Sequence, residues 1–195
     1  MYGASYAATG CAVAAAHTRL VCTTAPGVGD GLKWRVTIGG QTSAVTAGSP
    51  SMGYAPPSID SVTCADDALK TAGGSTLTVT GANFGTAALL GGSPPQLAFY
   101  PESFGSALAF AAPCSFAVDH TALRCTAPAG GGARLTFAIS VAGQGSAPRP
   151  TQLVFAAPVL TALPAAAIAC GGGQTVTVSG SSFGPNLGAG TIALT

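Results

Sequence analysis

Gly73-Gly74-Ser75-Thr76-Leu77-Thr78-Val79-Thr80-Gly81-Ala82-Asn83-Phe84-Gly85 reads as one strand held between two turns. Leu77 and Val79 alternate with the hydroxyls of Thr76, Thr78 and Thr80, the period-two pattern of a half-buried β-strand rich in β-branched residues. Glycines at both ends accept the positive backbone angles that turns require. A phosphate cradle would need the glycines to open a helix; here they open a strand, so the turn reading is kept. The run returns 99 positions later as Gly172-Gly173-Gln174-Thr175-Val176-Thr177-Val178-Ser179-Gly180, followed by Phe183-Gly184. Self-similarity at a fixed period marks a repeat architecture.

Working outward, Cys114-Ser115-Phe116-Ala117-Val118-Asp119-His120-Thr121-Ala122-Leu123-Arg124-Cys125-Thr126 stands against Cys11-Ala12-Val13-Ala14-Ala15-Ala16-His17-Thr18-Arg19-Leu20-Val21-Cys22-Thr23 at an offset of 103. The register continues through Leu32/Leu135, Trp34/Phe137, Val36/Ile139 and Ile38/Val141. The organisation expected is the back part of one repeat (1–56), a complete repeat (57–157) and the front part of a further one (158–195). Thr191 to Thr195 would match Gln96 to Tyr100. The chain then reads either as a window on a longer array or as a subunit whose tail completes the head of its neighbour; plain truncation is the alternative.

The same alternation predicts strands over Ser58 to Val62, Thr76 to Thr80, Gln96 to Tyr100, Ala107 to Ala111, Ser115 to Val118, Leu123 to Thr126 and Gln152 to Phe155. Leu32, Trp34, Val36 and Ile38 predict another, with Lys33, Arg35 and Thr37 on its wet face, and Leu135 to Val141 repeats it. About seven short strands in about a hundred residues, punctuated by Gly and Pro, is the pattern of an antiparallel immunoglobulin-type sandwich. The expected fold class is therefore all-β, with immunoglobulin-like sandwiches in tandem. Tyr54-Ala55-Pro56-Pro57-Ser58-Ile59 and Phe155-Ala156-Ala157-Pro158-Val159-Leu160 pass from one unit to the next without a flexible linker. Proline restricts itself and its predecessor, so the joints should be stiff.

Pro57 to Val62, the Gly73 to Gly85 run and Leu123-Arg124-Cys125-Thr126-Ala127-Pro128 together resemble the IPT/TIG domain, an immunoglobulin-like fold of the E-set type. The Gly85 to Pro95 stretch, rich in Gly, Ala and Pro, departs from that pattern as an insert. The resemblance implies a fold, not a function, because such domains serve receptors, enzyme accessory modules and fibres alike.

Cys11/Cys22 and Cys114/Cys125 share one spacing, each pair enclosing a turn centred on His-Thr. In an antiparallel hairpin that spacing sets the two sulfurs on neighbouring strands, so disulfides Cys11–Cys22 and Cys114–Cys125 are expected, each stabilising by roughly 3 kcal/mol. They imply an oxidising, extracellular setting. Cys64 and Cys170 remain unassigned: pairing with each other, pairing with another chain and free thiols all stay open. A zinc site is not expected, since the spacing fits no ligand pattern.

Seven basic and six acidic residues leave the 195-residue chain near neutrality, with only 7% charged residues, against about 25% in ordinary globular domains. No basic stripe argues for nucleic acid. From Pro150 onward only Ala, Gly, Pro, hydroxyl, amide, aliphatic, Phe and Cys side chains occur, and so neutral a surface favours association. Leu153 to Cys170 is apolar, but Pro158 and Pro164 interrupt it, so it reads as a strand junction and no membrane insertion is expected. Residues 1 to 20 align with a domain interior, not with a secretory leader.

No catalytic set is visible. His17 and His120 occupy the same turn, and Asp119 beside His120 is replaced by Ala16 in the other copy, so the pair is not a general-base arrangement. Asp66-Asp67 is too poor in oxygen ligands for calcium. The expectation is no enzyme, no metal and no cofactor. Asn83 and Asn186 lie outside N-glycosylation sequons. Pro and hydroxyl residues cluster instead at Ser49-Pro50, Pro56-Pro57, Ser93-Pro94-Pro95 and Pro148/Pro150. These segments resemble the hydroxyproline and O-glycan acceptors of green-algal wall and flagellar-hair glycoproteins, and are candidate O-glycan sites.

The function expected is a structural component of an extracellular glycoprotein filament, such as a mastigoneme-like hair, in contact with copies of itself. The alternatives are the stalk of a receptor or adhesin, or an accessory module of a carbohydrate-active enzyme.

Overall fold

The computed structural model describes residues 6–46, 52–162 and 170–186. In chain order its strands are β1 (Thr9–Ala15), β2 (Arg19–Thr23), β3 (Thr37–Ile38), β4 (Gln41–Thr42), β5 (Ser58–Cys64), β6 (Thr76–Ala82), β7 (Gln96–Pro101), β8 (Phe110–Ala112), β9 (Cys114–Val118), β10 (Ala122–Thr126), β11 (Leu135–Val141), β12 (Gln144–Gly145), β13 (Arg149–Pro150), β14 (Val159–Ala162) and β15 (Ser179–Ser181). A 3-10 turn, Gly105–Leu108, precedes β8.

Strands β5 to β13 build one complete antiparallel sandwich. One sheet has the order β5-β6-β10-β9; the other runs β12-β11-β7-β8, with β13 also paired to β11. Period two decides which side chains turn inward. Leu77 and Val79 of β6 face inward beside Leu123 and Cys125 of β10, their direct cross-strand partners. From the opposite sheet come Leu97 and Phe99 of β7 with Leu135, Phe137, Ile139 and Val141 of β11. Phe99 stacks obliquely on Phe137 and Phe110, with ring centroids 5.0 and 5.4 Å apart. At about 1.5–3 kcal/mol per large apolar side chain, this cluster supplies the main driving force of the unit.

Phe84 closes one end of the core, and its placement depends on the turn before it. Asn83 sits at φ 63°, a left-handed conformation that asparagine tolerates better than most residues. Gly81 allows Phe84 to lie against the strand, because a β-carbon there would stand 2.7 Å from the Phe84 ring. The Phe84 N–H then donates to the carbonyl of His120, the His120 N–H to that of Gly85, and the Gly81 N–H to that of Thr121. Three backbone bonds thus pin the β9–β10 turn to the end of β6.

The edges differ in detail from the sequence reading. Ala107 to Ala111 is expected as a strand, yet the 3-10 turn takes its first half and β8 starts only at Phe110. Gln152 to Phe155 forms no ladder strand: its backbone is spent on Leu69, Gly132 and Leu135, through bonds such as Leu69 N–H to Val154 O and Ala156 N–H to Leu69 O. Leu69 and Phe155 form an isolated parallel bridge.

Outside the complete sandwich the segments are thinner. Residues 9–23 form the hairpin β1–β2, residues 37–42 the hairpin β3–β4, and β14 pairs with β15. The half-buried strand expected from Leu32 to Ile38 is only partly formed. Leu32 and Trp34 are half-buried, whereas Val36 and Ile38 are exposed and only Thr37–Ile38 belongs to a strand. The reason is the missing opposite layer: β11, its counterpart, lies against β7 and beneath β6 and β10, and no second sheet covers the leading segment among the described residues. Thr191 to Thr195 lies outside the described residues.

Candidate functional site: the joints flanking the sandwich

Within the described residues no group of three His, Cys, Asp or Glu side chains converges as around a metal ion; the contacts between segments lie at the joints at the two ends of the sandwich. At the first, Tyr54 anchors the leading segment. Its hydroxyl donates to the carbonyl of Ala25 at 2.5 Å, and its ring meets that of Tyr6 edge-on at 5.4 Å. The Tyr6 hydroxyl both donates to the Val28 carbonyl and accepts from the Val28 N–H, at 3.1 and 3.0 Å. Val28 is thereby held outward as a knob.

The complete sandwich supplies the socket. Val28 packs against its core together with Leu90, and a β-carbon on Gly85 would stand 3.0 Å from a Val28 methyl. Leu90 belongs to the Gly85 to Pro95 insert, which coils through Leu90 N–H to Thr86 O and Gly92 N–H to Ala87 O. The sequence marked this stretch only as a departure; its apolar pair Leu89-Leu90 within Gly, Ala and Pro was the available signal that it packs on something. On the other side stands the β11–β12 turn, where Ala142 (φ 48°) and Gly143 (φ 83°) are both left-handed. Gln144 then reaches over to donate its amide to the Tyr54 carbonyl at 2.9 Å, and Asn83 donates to the Pro56 carbonyl at 3.0 Å. With Pro56 and Pro57 between them, the two bodies are tied by side chains on both flanks of a restricted peptide link.

The second joint is similar in one respect, the loop on which its Phe-Gly turn lies, while Gly131 stands where the first joint has Val28. Gly130 lies 103 residues after Gly27, and Gly184 lies 99 residues after Gly85. A β-carbon on Gly184 would stand 3.1 Å from the Gly130 carbonyl, and one on Gly130 would meet the Phe155 ring at 2.6 Å, as one on Gly27 would press on Tyr54. Both joints therefore place the Phe-Gly turn of one segment on the Gly-containing loop of the segment before it.

Cys114 and Cys125 are direct Cα partners on β9 and β10, bridged with Cα atoms 4.0 Å apart; Cys11 and Cys22 are bridged on β1 and β2 at 4.1 Å. His17 and His120 both adopt φ 63° at the tips of these hairpins. Both bridges staple neighbouring strands of one sheet, leaving Leu77 and Phe137 to hold the two sheets together by packing. Cys64 ends β5 as a half-buried thiol against the core, and Cys170 is an exposed thiol. Asp66 accepts from Ser75 at 3.3 Å and lies 3.5 Å from Lys70, an exposed loop pairing.

Of the candidate glycan positions, Pro56, Ser93, Pro94, Pro148 and Pro150 are exposed. Pro57 and Pro95 are buried, where a sugar would displace packing. Ser49 and Pro50 lie outside the described residues.

Two antiparallel sheets around one apolar core, with an edge hairpin stapled by a disulfide, define an immunoglobulin-like sandwich module. More narrowly, the profile of the IPT/TIG domain matches residues 57–155, about half of the chain, and the chain belongs to that family. No curated protein and no solved structure matches it.

Proposed function

We propose that the chain is a structural segment of an extracellular filament or surface fibre, in which IPT/TIG domains follow one another as 1–56, 57–157 and 158–195, the outer two being parts of repeats. The observation that carries this reading is that at both ends of the complete sandwich a Phe-Gly turn lies on a Gly-containing loop, Gly85 at Val28 and Gly184 at Gly130. A joint of one kind recurring between successive units relates them by a similar rotation and rise, which is the geometric requirement of a rod. At the first joint the Tyr54, Val28 and Gln144 contacts further restrict that rotation. The disulfide-stapled hairpins suit an oxidising exterior, and the scarcity of charge suits a surface that spends its life against neighbours. Exposed Ser93-Pro94 and Pro148 to Pro150 are positioned to carry O-linked sugars that supply polarity. The family's members are in the main non-catalytic modules, and no enzymatic role is proposed.

Negative-stain microscopy of the native, full-length material tests the reading. Rods with a repeat of about one domain length are expected; isolated globular particles at high concentration would overturn it. A stalk for a receptor or adhesin would instead end in a distinct head.

A further inference from the structure

Asp30-Gly31 is the one aspartate–glycine pair in the sequence, and the fold holds it inside a two-bond clamp just ahead of the first joint. On one side of the pair the Gly29 carbonyl accepts from the Tyr54 N–H at 2.9 Å; on the other the Leu32 N–H donates to the Met52 carbonyl at 2.7 Å. The complete sandwich has the same clamp, with the Phe155 N–H donating to the Gly132 carbonyl at 2.9 Å and the Leu135 N–H to the Leu153 carbonyl at 3.1 Å. Gly31 (φ 67°) and its counterpart Arg134 (φ 50°) are both left-handed. Asp30 and its counterpart Ala133 are both exposed, so exposure belongs to the loop itself and is kept in a finished sandwich. What differs is the chemistry, because the leading loop has Asp-Gly where the complete unit has Ala-Arg.

The Gly31 N–H donates to Asp30 Oδ1 at 2.7 Å, so the amide nitrogen already rests against the carboxyl group of the residue before it. Such proximity favours an intramolecular reaction over any encounter from solution. Nothing stands within 4 Å of where a β-carbon on Gly31 would be, and glycine brings none, so no side chain obstructs ring closure. We infer that Asp30 is a site of spontaneous backbone isomerisation. The Gly31 nitrogen attacks Cγ of the protonated Asp30 carboxyl; the N–Cγ bond forms, the Cγ–OH bond breaks, and the amide proton leaves with that hydroxyl as water. Water then adds to the Asp30 main-chain carbonyl of the cyclic imide and cleaves its bond to nitrogen. The chain is left running through Cγ, the former main-chain carbonyl becomes a free carboxylate, and mass and charge are those of the starting protein. The backbone gains one carbon, about 1.5 Å of chain, between anchor points set for the original spacing. Gly53 leaves no slack, since a β-carbon there would collide with the Asp30 carboxyl. The clamp on residues 52–54 therefore opens, and Tyr54, whose hydroxyl holds Ala25 and whose carbonyl takes the Gln144 amide, loses its footing. This inference stands apart from the filament reading: it gives the first joint a chemical clock that the Ala133-Arg134 loop of the complete sandwich does not have.

Storage of the 195-residue chain for weeks in warm, mildly acidic buffer tests it, followed by reduction, tryptic peptide mapping and methyl transfer by an isoaspartate-specific methyltransferase. An isomer of unchanged mass should accumulate in the peptide spanning residues 20–33. Peptides carrying Asp60, Asp66, Asp67 or Asp119 should show at least about tenfold less, because each of these is followed by a residue with a β-carbon. Asp30→Glu should abolish the isomer at that position, and Asp30→Asn, which closes the same ring with loss of ammonia, should form the β-linked chain faster. Both changes lie on an exposed loop and should leave the thermal transition of the complete sandwich in place. Separated from the parent by chromatography, the isomer should exchange the Leu32 and Tyr54 amide hydrogens at least about tenfold faster, while those of Leu135 and Phe155 keep their protection. Three results would each overturn the inference: Asp30 unchanged in the folded chain while a urea-unfolded sample isomerises, equal accumulation at the other aspartates, or an isomer whose Leu32 and Tyr54 amides stay protected.

Discussion

The hairpins β1–β2 and β9–β10 have the same cysteine bridge, the same left-handed histidine and the same strand directions, yet one is an exposed ribbon and the other an edge of a packed sandwich. The difference separates what is encoded locally from what must be supplied from elsewhere. Turn geometry and the disulfide need only a dozen residues, and both copies possess them. Burial needs a facing layer, which β5, β6 and β7 supply to β9–β10 and which no described residues supply to β1–β2.

The sharpest way to break this comparison is at the paired phenylalanines. Phe84→Ala should destabilise the complete sandwich by about 3–5 kcal/mol, as large-to-small changes in a packed core do. Phe183→Ala should leave its unfolding midpoint unmoved in dilute protein. Denaturant unfolding of both variants checks this, and equal losses would mean that the trailing segment is already part of one cooperative unit.

The paired bridges come next. Replacing Cys114 and Cys125 together with alanine should cost about 3 kcal/mol on loop-entropy grounds. The same change at Cys11 and Cys22 should spare the main transition and raise only hydrogen exchange within 9–23. Glycines give a smaller contrast. Gly73 has φ 85° and a β-carbon there would lie 2.7 Å from the Ala129 nitrogen, whereas Gly172 (φ 69°) has open space around it. Gly73→Ala should therefore cost at least about 1 kcal/mol more than Gly172→Ala, which bears only the left-handed penalty. A thermal melt of each resolves the order. Smallest of all, Lys70→Ala removes an exposed pairing with Asp66, and its effect should stay within about 0.5 kcal/mol in the same melt.

Much of this was legible because period two and turn residues act over short distances. Leu77/Val79, Leu97/Phe99 and Leu135 to Val141 could be assigned to an inner face from alternation alone, and the matching Cys spacings placed two hairpins. What the sequence could not convey were contacts between segments remote in the chain. Val28 and Leu90 are unremarkable singly; only the fold brings the knob to the insert. Gln144 lies 90 residues from Tyr54, so no local pattern joins them. Ala107 to Ala111 misled because an alternating apolar run is compatible with a short 3-10 turn. Val36 and Ile38 misled in the opposite way: their pattern describes a face that has no cover among the described residues.

The parallel bridge between Leu69 and Phe155 has a mechanical meaning. Tension entering at Pro57 and leaving at Pro158 would drag these two stretches past one another lengthwise, so Leu69 N–H···O Val154 and Ala156 N–H···O Leu69 would have to rupture together instead of unzipping in turn. Two bonds near the seams of the module thus act as a clasp against stretch, and the bridge between Cys114 and Cys125, 11 positions apart, leaves the chain outside its loop free to pay out once the clasp gives.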